Sequence, residues 1–568
     1  MAATALITAP AGAQTPAASW QWAAAGGSAD YDDASAVAVD AAGNTYVTGY
    51  FEGSTAQFGA ASLTSQGGSD VFVAKYGPTG ALLWLRGGGG NDFDAGTAIA
   101  VDAAGNCYVS VSIGGSAQAT FDGQTVTPAG PDGSAVLLRY DAAGTLSWLR
   151  APIAAQSPVG SGGSSSGAGL AFDANNNLYW AGSFDGHIAF STAQLHSVGT
   201  SDAFVVSFDV SGAPRWARQF GGAGTDEAAY VGVSATGDYY VAGGFNNSLT
   251  IGNTTLTGSG AKDAYVARFS ASGTPQWVRA ITGTSAAETL PYGLAVAPSG
   301  ECYVVGETDA STLTIGTTSL ANTSLGYFGY LTAYDAAGAV RWVRGAGSNQ
   351  NSGTYGVALG AGAVHITGGF SGTLELADGI APTPATLTAS GFADVFVARY
   401  RTTTGELVGT GQAGGTRPNN DVGIGQGIAV DATGASHVIG YLGGATGNGS
   451  VRFGTQPALT SRGGGEVFTA SLGPTPVMGR ADEVALDDAF RVYPTHVAPA
   501  ERLTIAGLAA DAPARLTLLD GLGRAVQTTT VMPEGDAAGW APPAVPAGLY
   551  VLRAEQGGAV RTRRVVVQ

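Results

Sequence analysis

Apolar and small residues alternate with polar ones over a few positions, stop at Gly, Asn or Asp, and then begin again in the same order. Residues 35–40, 45–51, 71–76 and 82–87 show the pattern in its first complete form. A period of two over so short a stretch, bounded by turn residues, predicts a β-strand; long helices are not expected. The first and second strands are joined by Asp40-Ala41-Ala42-Gly43-Asn44, which returns as 102–106 and, altered, as 173–177 and 431–435. Gly or Asn in the fourth place tolerates positive φ and predicts a tight antiparallel hairpin. The third and fourth strands are linked in the same way at 141–144 and 335–338.

This four-strand unit recurs from residue 20 to residue 473. Trp22, Trp84, Trp148, Trp216, Trp277 and Trp342 mark it at spacings of 62, 64, 68, 61 and 65 residues, and Val408 takes the place 66 residues later. Repetition at this length sets the architecture before any motif is weighed. Seven sets of first, second and third strands can be counted. An isolated fourth-type strand at 20–26 precedes them, and none follows Leu472. Pairing the N-terminal strand with the last unit predicts an all-β, seven-bladed β-propeller without a free edge. The residues in excess of a common blade lie between the second and third strands, as in 53–65 and 249–257, and read as a small added hairpin. Long connections are expected on one face and tight turns on the other, so the long-loop face is the expected binding face.

Composition adds a second domain. The chain has 568 residues, 90 of them Gly, with 12% charged and a formal charge of −17. Residues 490–568 hold eight Arg against six acidic residues, which leaves −19 in the rest. An acidic body repels phosphate backbones, so nucleic acid is not an expected partner. After a linker at 474–489, residues 490–568 read as alternating strands with Gly and Pro turns, as in a small Ig-like β-sandwich. No apolar run approaches the roughly 20 residues of a transmembrane helix. Residues 1–19 include an apolar stretch ending Ala-Pro-Ala-Gly-Ala, which resembles the end of a secretory signal lacking its basic start. Cys107 and Cys302 occupy one repeat position in units two and five, too far apart in a ring for a disulfide, and are expected as buried free thiols.

Candidate chemistry is sparse. Between the fourth strand of one unit and the first of the next lie Asp30, Asp32 and Asp33, then Asp92 and Asp94, then Asp226 and Glu227, then Asp421. Asp30, Asp32, Asp92, Asp94 and Asp226 are candidate calcium ligands, since paired carboxylates with nearby carbonyls suit that ion. The loops lack an EF-hand's glycine and terminal Glu, and Asp also stabilises turns through its own backbone, so the structural role is favoured. Asp70, Asp202, Asp263, Asp394 and Glu466 open the third strands and are expected to hold backbone amides there. His365 and His437 replace the second-strand tyrosines of other units, which reads as repeat drift in preference to a metal pair. Phe51, Phe58, Phe184, Phe190, Phe245, Phe370 and Phe453 lie in or beside the long loops. Such rings suit stacking on sugars, but their recurrence as Gly-x-Phe and Phe-Gly points first to packing of the added hairpins onto the blade. No motif of hydrolases, metalloproteases or phosphate-binding loops is present.

The unit Gly-x-Ala-x-Ala-Val-Asp-x-x-Gly-Asn-x-Tyr-Val-Thr-Gly-x-Phe, followed by Leu-Thr-Ser-x-Gly-Gly-Ser-Asp-Val-Phe-Val-Ala-Lys-Tyr and a Gly-x-x-x-Trp strand, resembles the bacterial SBBP β-propeller repeat. Unit three, with its Ser and Gly run, and unit seven, without the tryptophan, depart from it. The Phe490-Arg-Val-Tyr-Pro494, 514–524 and 546–553 segments resemble the C-terminal sorting domain of type IX secretion substrates, with Thr495 where that family usually has Asn. The resemblance implies export, the type IX machinery as partner of residues 490–568, and a secreted or outer-surface location. The expected function is non-catalytic binding of a glycan or protein. The alternatives are a polysaccharide hydrolase or lyase and a purely structural surface protein. An irregular cluster of carboxylates and aromatics near the ring axis would favour the enzyme.

Overall fold

The computed structural model describes residues 18–474 apart from 155–162, 285–286, 378–383 and 446–447, together with the strands between 491 and 567 and a few residues beside them. The signal-like residues before 18 and nearly all of the linker lie outside the described residues. Among those described the protein is all-β, and no helix is long and apolar enough to cross a membrane. Two compact units divide the chain, Met1–Thr475 and Pro476–Gln568.

In the first unit the described strands fall into antiparallel sets of four, numbered here in chain order as sheets 1 to 7, five of which an added hairpin extends to six strands. Sheet 1 contains Asp32–Val39, Thr45–Phe51, Asp70–Tyr76 and Leu82–Gly89. Its first strand begins three residues before the alternation predicts, because Asp32 and Asp33 pair with Phe51 and Tyr50. The first strands of sheets 2 to 7 are Asp94–Val101, Ser165–Phe172, Tyr230–Val233, Thr289–Val296, Ser352–Gly360 and Asp421–Val430. Each packs against the next, and that of sheet 7 packs against that of sheet 1. The fourth strand of sheet 7 is N-terminal: Trp20–Gly27 runs antiparallel to Gly465–Leu472, with Trp20 opposite Leu472 and Gly26 opposite Val467. The strand count requires this pairing.

The turns form as their residues dictate. Gly43 and Gly105 take φ of 79°, and Asn176 fills the same place at 59°. Second and third strands are buried on both faces, so Asp70–Tyr76 is buried at every position and its alternation is lost. The added hairpins do not extend their own sheets. Thr55–Phe58 pairs with the fourth strand of sheet 7, placing Phe58 opposite Gly26, and Ala119–Phe121 pairs with the fourth strand of sheet 1. Five of the seven hairpins cover the edge of the preceding sheet in this way; His187–Phe190 pairs instead with Ile153–Ala154, and Ser248–Ile251 is joined by a single bridge from Thr250 to Gly221. Phe58, Phe121, Phe190, Ile251, Ile315, Leu376 and Phe453 end the first arms of the seven hairpins, all almost fully buried. Burying a side chain of this kind is worth roughly 1.5–3 kcal/mol. Phe58 lies 4.9 Å from Phe72, and Phe453 is 4.9 Å from Phe468. The seven candidate sugar-stacking phenylalanines are therefore core residues, because the hairpins turn them inward; Phe51, Phe184, Phe245 and Phe370 are buried too.

A second tie repeats at the tight-turn end. The Trp277 indole Nε1 donates to Ala336 O in the next sheet at 3.0 Å, and Trp22 reaches Pro78 O at 2.9 Å. The turn glycine lies flat on the ring: a Cβ at Gly338 would sit 2.6 Å from Trp277. Arg279 covers the same indole and donates to Gly338 O at 2.9 Å.

The second unit has two sheets. Arg491–Tyr493, Leu503–Ala506 and Ala537–Trp540 form one. The other orders His496–Val497, Ala559–Val567, Gly548–Gln556, Ala514–Leu519 and Ala525–Val531. Leu503 and Ile505 of the smaller sheet share one core with Leu516, Leu518, Leu552 and Val565 of the larger.

Candidate functional site

The repeated carboxylates are structural. Asp32 accepts from Ser28 N at 2.5 Å and Ser28 Oγ at 2.8 Å, Asp94 from Gly90 N at 2.5 Å and Gly114 N at 3.0 Å, and Asp226 from Gly222 N at 2.6 Å. All three are buried, whereas Asp30 and Asp92 face solvent. The calcium candidates are thus divided between amide clamps and open loops. No group of three His, Cys, Asp or Glu side chains converges as a metal site among the described residues. Burial pushes Asp32, Asp94 and Asp226 up to about 6 against their amide donors, and the neighbouring Glu466, Asp70 and Asp202 charges add to the rise. At the third-strand entrances, Asp70 accepts from Gln66 N at 2.6 Å, Asp263 from Ser259 N at 2.6 Å and Asp394 from Ser390 N at 2.9 Å. Asp202 and Glu466 likewise accept from Gly199 N and Arg462 N.

His365 and His437 are held separately. His365 Nδ1 meets Ser436 Oγ at 2.9 Å; His437 meets Thr45 Oγ1 at 2.8 Å and Asp431 Oδ2 at 3.1 Å. Burial lowers both, His365 to about 3, so they are neutral core side chains. Cys107 and Cys302 are buried free thiols, pushed up by burial.

Against this regular background one feature breaks the repeat. At equivalent places near the long-loop end of the second strands stand Tyr50, Ser112, Ser183, Gly244, Glu307, Gly369 and Tyr441. Opposite them, the first strands of six sheets carry a bulge at one register, which inserts Tyr292 in sheet 5, Tyr355 in sheet 6 and Gln426 in sheet 7. A bulge redirects a side chain that the period of two would place elsewhere. Tyr292 and Tyr355 both donate to Glu307, at 3.3 and 2.9 Å, and their rings meet edge to face at 5.1 Å. Burial holds Glu307 above its ordinary value in spite of these bonds. A cavity of about 100 Å³ continues past Tyr355, Tyr327 and Gly369 to Ile424, whose partner across the sheet is Tyr441.

From there the aromatics run on. Tyr31 lies 5.4 Å from Tyr441 and 6.3 Å from Tyr50, and Tyr50 is 5.0 Å from Phe93. Tyr31 is 39% exposed, Tyr327 41% and Phe93 53%, so this arc is open to a ligand. Burial raises Asp33, and burial first, then the Asp33 charge, raises the Tyr31, Tyr50 and Tyr441 hydroxyls. The arc spans sheets 5, 6, 7, 1 and 2. Sheets 2 and 3 meet beyond it through small side chains, with Ser112 Oγ 2.7 Å from Ser166 Oγ. Sequence reading misses the arc because it searches for what repeats, whereas the arc occupies positions that vary. The change at one second-strand place from Tyr to Ser, Gly or Glu is the signal that marks it.

No family model matches the chain. The regulatory protein FlaEY of Caulobacter vibrioides is 31% identical over 144 residues, a quarter of this chain. The matched stretch spans 14% of that protein's length. Among solved structures, a europium-containing methanol dehydrogenase overlaps 74% of this chain and 80% of its own, at 13% identity and a TM-score of 0.31. A fungal alcohol oxidase of the AA5 family in complex with copper overlaps 83% and 96%, at 14% identity and a TM-score of 0.28.

Proposed function

We propose that residues 20–473 form a seven-bladed β-propeller that binds a glycan at the aromatic arc without turning it over, and that the protein works outside the cell. The ring of packed first strands supports the propeller. Two sheets around one core in the C-terminal unit support an Ig-like sandwich, which we assign as a type IX sorting domain because of its Tyr-Pro and Gly-Leu-Tyr-Val segments. The SBBP resemblance supports the same surface or secreted location.

A single observation carries the binding reading: one irregular run of open aromatic rings and carboxylates on an otherwise regular scaffold. Flat aromatic faces stack on the C–H faces of sugars, and carboxylates accept their hydroxyls. The irregularity is what a catalytic cluster would also require. Glu307, however, is fixed by two phenols, and general acid–base cleavage of a glycoside needs a second carboxyl group disposed across the same bond. A glycan array probed with the full chain, with and without calcium, and a parallel assay of reducing-end release test the reading. Binding without release, lost in Tyr31→Ala and Tyr355→Ala, is expected. Release that vanishes in Glu307→Gln or Asp33→Asn establishes the enzyme instead.

A further inference from the structure

The Tyr31, Tyr50 and Tyr441 end of the arc has a chemistry of its own. The Tyr31 ring packs against Tyr441 and Tyr50, tilted by 31° and 38°, and stays 39% exposed. Their negative π-faces attract a cation, most strongly where water is partly excluded. Asp33 lies beside all three rings and is met in part by the Gln426 side chain. Asp33 Oδ1 and Gln426 Oε1 are both buried and both lack a hydrogen-bond partner. Each is an acceptor, and buried acceptors without donors are costly. Glu52, exposed, is tied to the group through its backbone, whose N–H donates to Tyr31 O at 3.2 Å.

The cations nearby are already committed. Arg462 lies 3.4 Å from Glu466 and donates to Gly27 O and Gln57 O. Arg417 is 2.6 Å from Asp421. The tyrosine end of the arc is therefore aromatic and negative, without an uncommitted positive charge among the described residues. Phe93, 5.0 Å beyond Tyr50, extends the stacking surface past the region that a lone ammonium would fill.

We infer that this end of the arc selects an amino sugar carrying its free, protonated amine, within a glucosamine-type polymer. The inference rests on the proposed glycan binding and names the class of glycan. The ammonium is drawn by the Asp33 and Glu52 charges and sits over the exposed Tyr31 ring, while neighbouring sugar rings stack toward Phe93. An N-acetylated sugar brings the stacking without the charge, and a uronic acid brings the wrong charge.

Isothermal titration of the full chain with hexamers of glucosamine, N-acetylglucosamine and galacturonic acid, and with polylysine, tests this. The glucosamine hexamer is expected to bind about tenfold more tightly than the acetylated one, the scale of one partly desolvated cation–π contact, and the galacturonate most weakly. The Asp33→Asn/Glu52→Gln double variant should lose that preference, losing more affinity for the glucosamine hexamer than for the acetylated one, and an unchanged circular dichroism spectrum shows that it is folded. Equal affinity of the wild type for the first two hexamers, a preference that persists in the double variant, or polylysine binding as tight as glucosamine overturns the selection and leaves the glycan reading standing. Failure to bind any hexamer, together with a silent array, overturns the glycan reading itself.

Discussion

Asp32, Asp94 and Asp226 each serve as an amide clamp at the entry to a first strand, and each is a buried carboxylate beside a second one. Burial is the larger effect, so their folded values rise to about 6 from an unfolded value of 3.8. A raised carboxylate stabilises the fold fully below its unfolded value and loses that contribution as pH climbs through its folded value. These groups should therefore make the protein more stable at pH 5 than at pH 7.5. Asp421 is also pushed up by burial, but Arg417 and the Thr416 and Arg417 amides outweigh that and lower it, so it opposes the trend only in stronger acid. Thermal melts of the wild type and of Asp94→Asn check this. Because His365 and His437, held neutral by burial, oppose the trend in the same window, the readout is the difference: the change in melting temperature from pH 5 to 7.5 should be more negative in the wild type than in the variant. Equal changes in the two contradict the assignment.

At the scale of elements, the local signals were readable and the pairings between units were not. The second strand predicted at 45–51 is the observed Thr45–Phe51, and the Gly43 turn has the positive φ that its sequence implies. The hairpin at Thr55–Phe58 was visible as a pattern, but its partner is a strand of the preceding sheet, and nothing local specifies that choice. The recurrence of the phenylalanines beside the hairpins points first to packing, and their burial bears that out. The Trp–Gly tie shows how much such contacts between sheets carry. Gly338→Ala meets both a φ of 78° and the Trp277 ring, and should cost about 1–3 kcal/mol. Trp277→Ala, at a buried indole, should cost about 3 kcal/mol or more. Urea denaturation of the two single variants and the double variant gives the coupling. A double variant whose loss equals the sum of the two would show that ring and glycine do not act as one contact.

Over the whole molecule, the repeat gives seven similar sheets and places the basic side chains Arg86, Arg150, Arg279 and Arg344 over tryptophans at the tight-turn end. The long-loop end carries the open aromatics Tyr31, Phe93 and Tyr327. Regularity made the scaffold legible, and departure from it hid the arc, since Tyr292, Tyr355 and Gln426 reach their places through bulges that an alternating pattern does not reveal. The central claim is that one irregular arc, and not the sevenfold surface, is the binding site. Hydrogen exchange of the full chain with and without the glucosamine hexamer tests it most directly. Protection is predicted around Tyr31, Tyr50, Tyr292, Tyr355 and Tyr441, with none at the Asp40–Asn44 turn or its equivalents. Protection spread evenly over the seven sheets, or confined to the tight-turn end, would contradict the account.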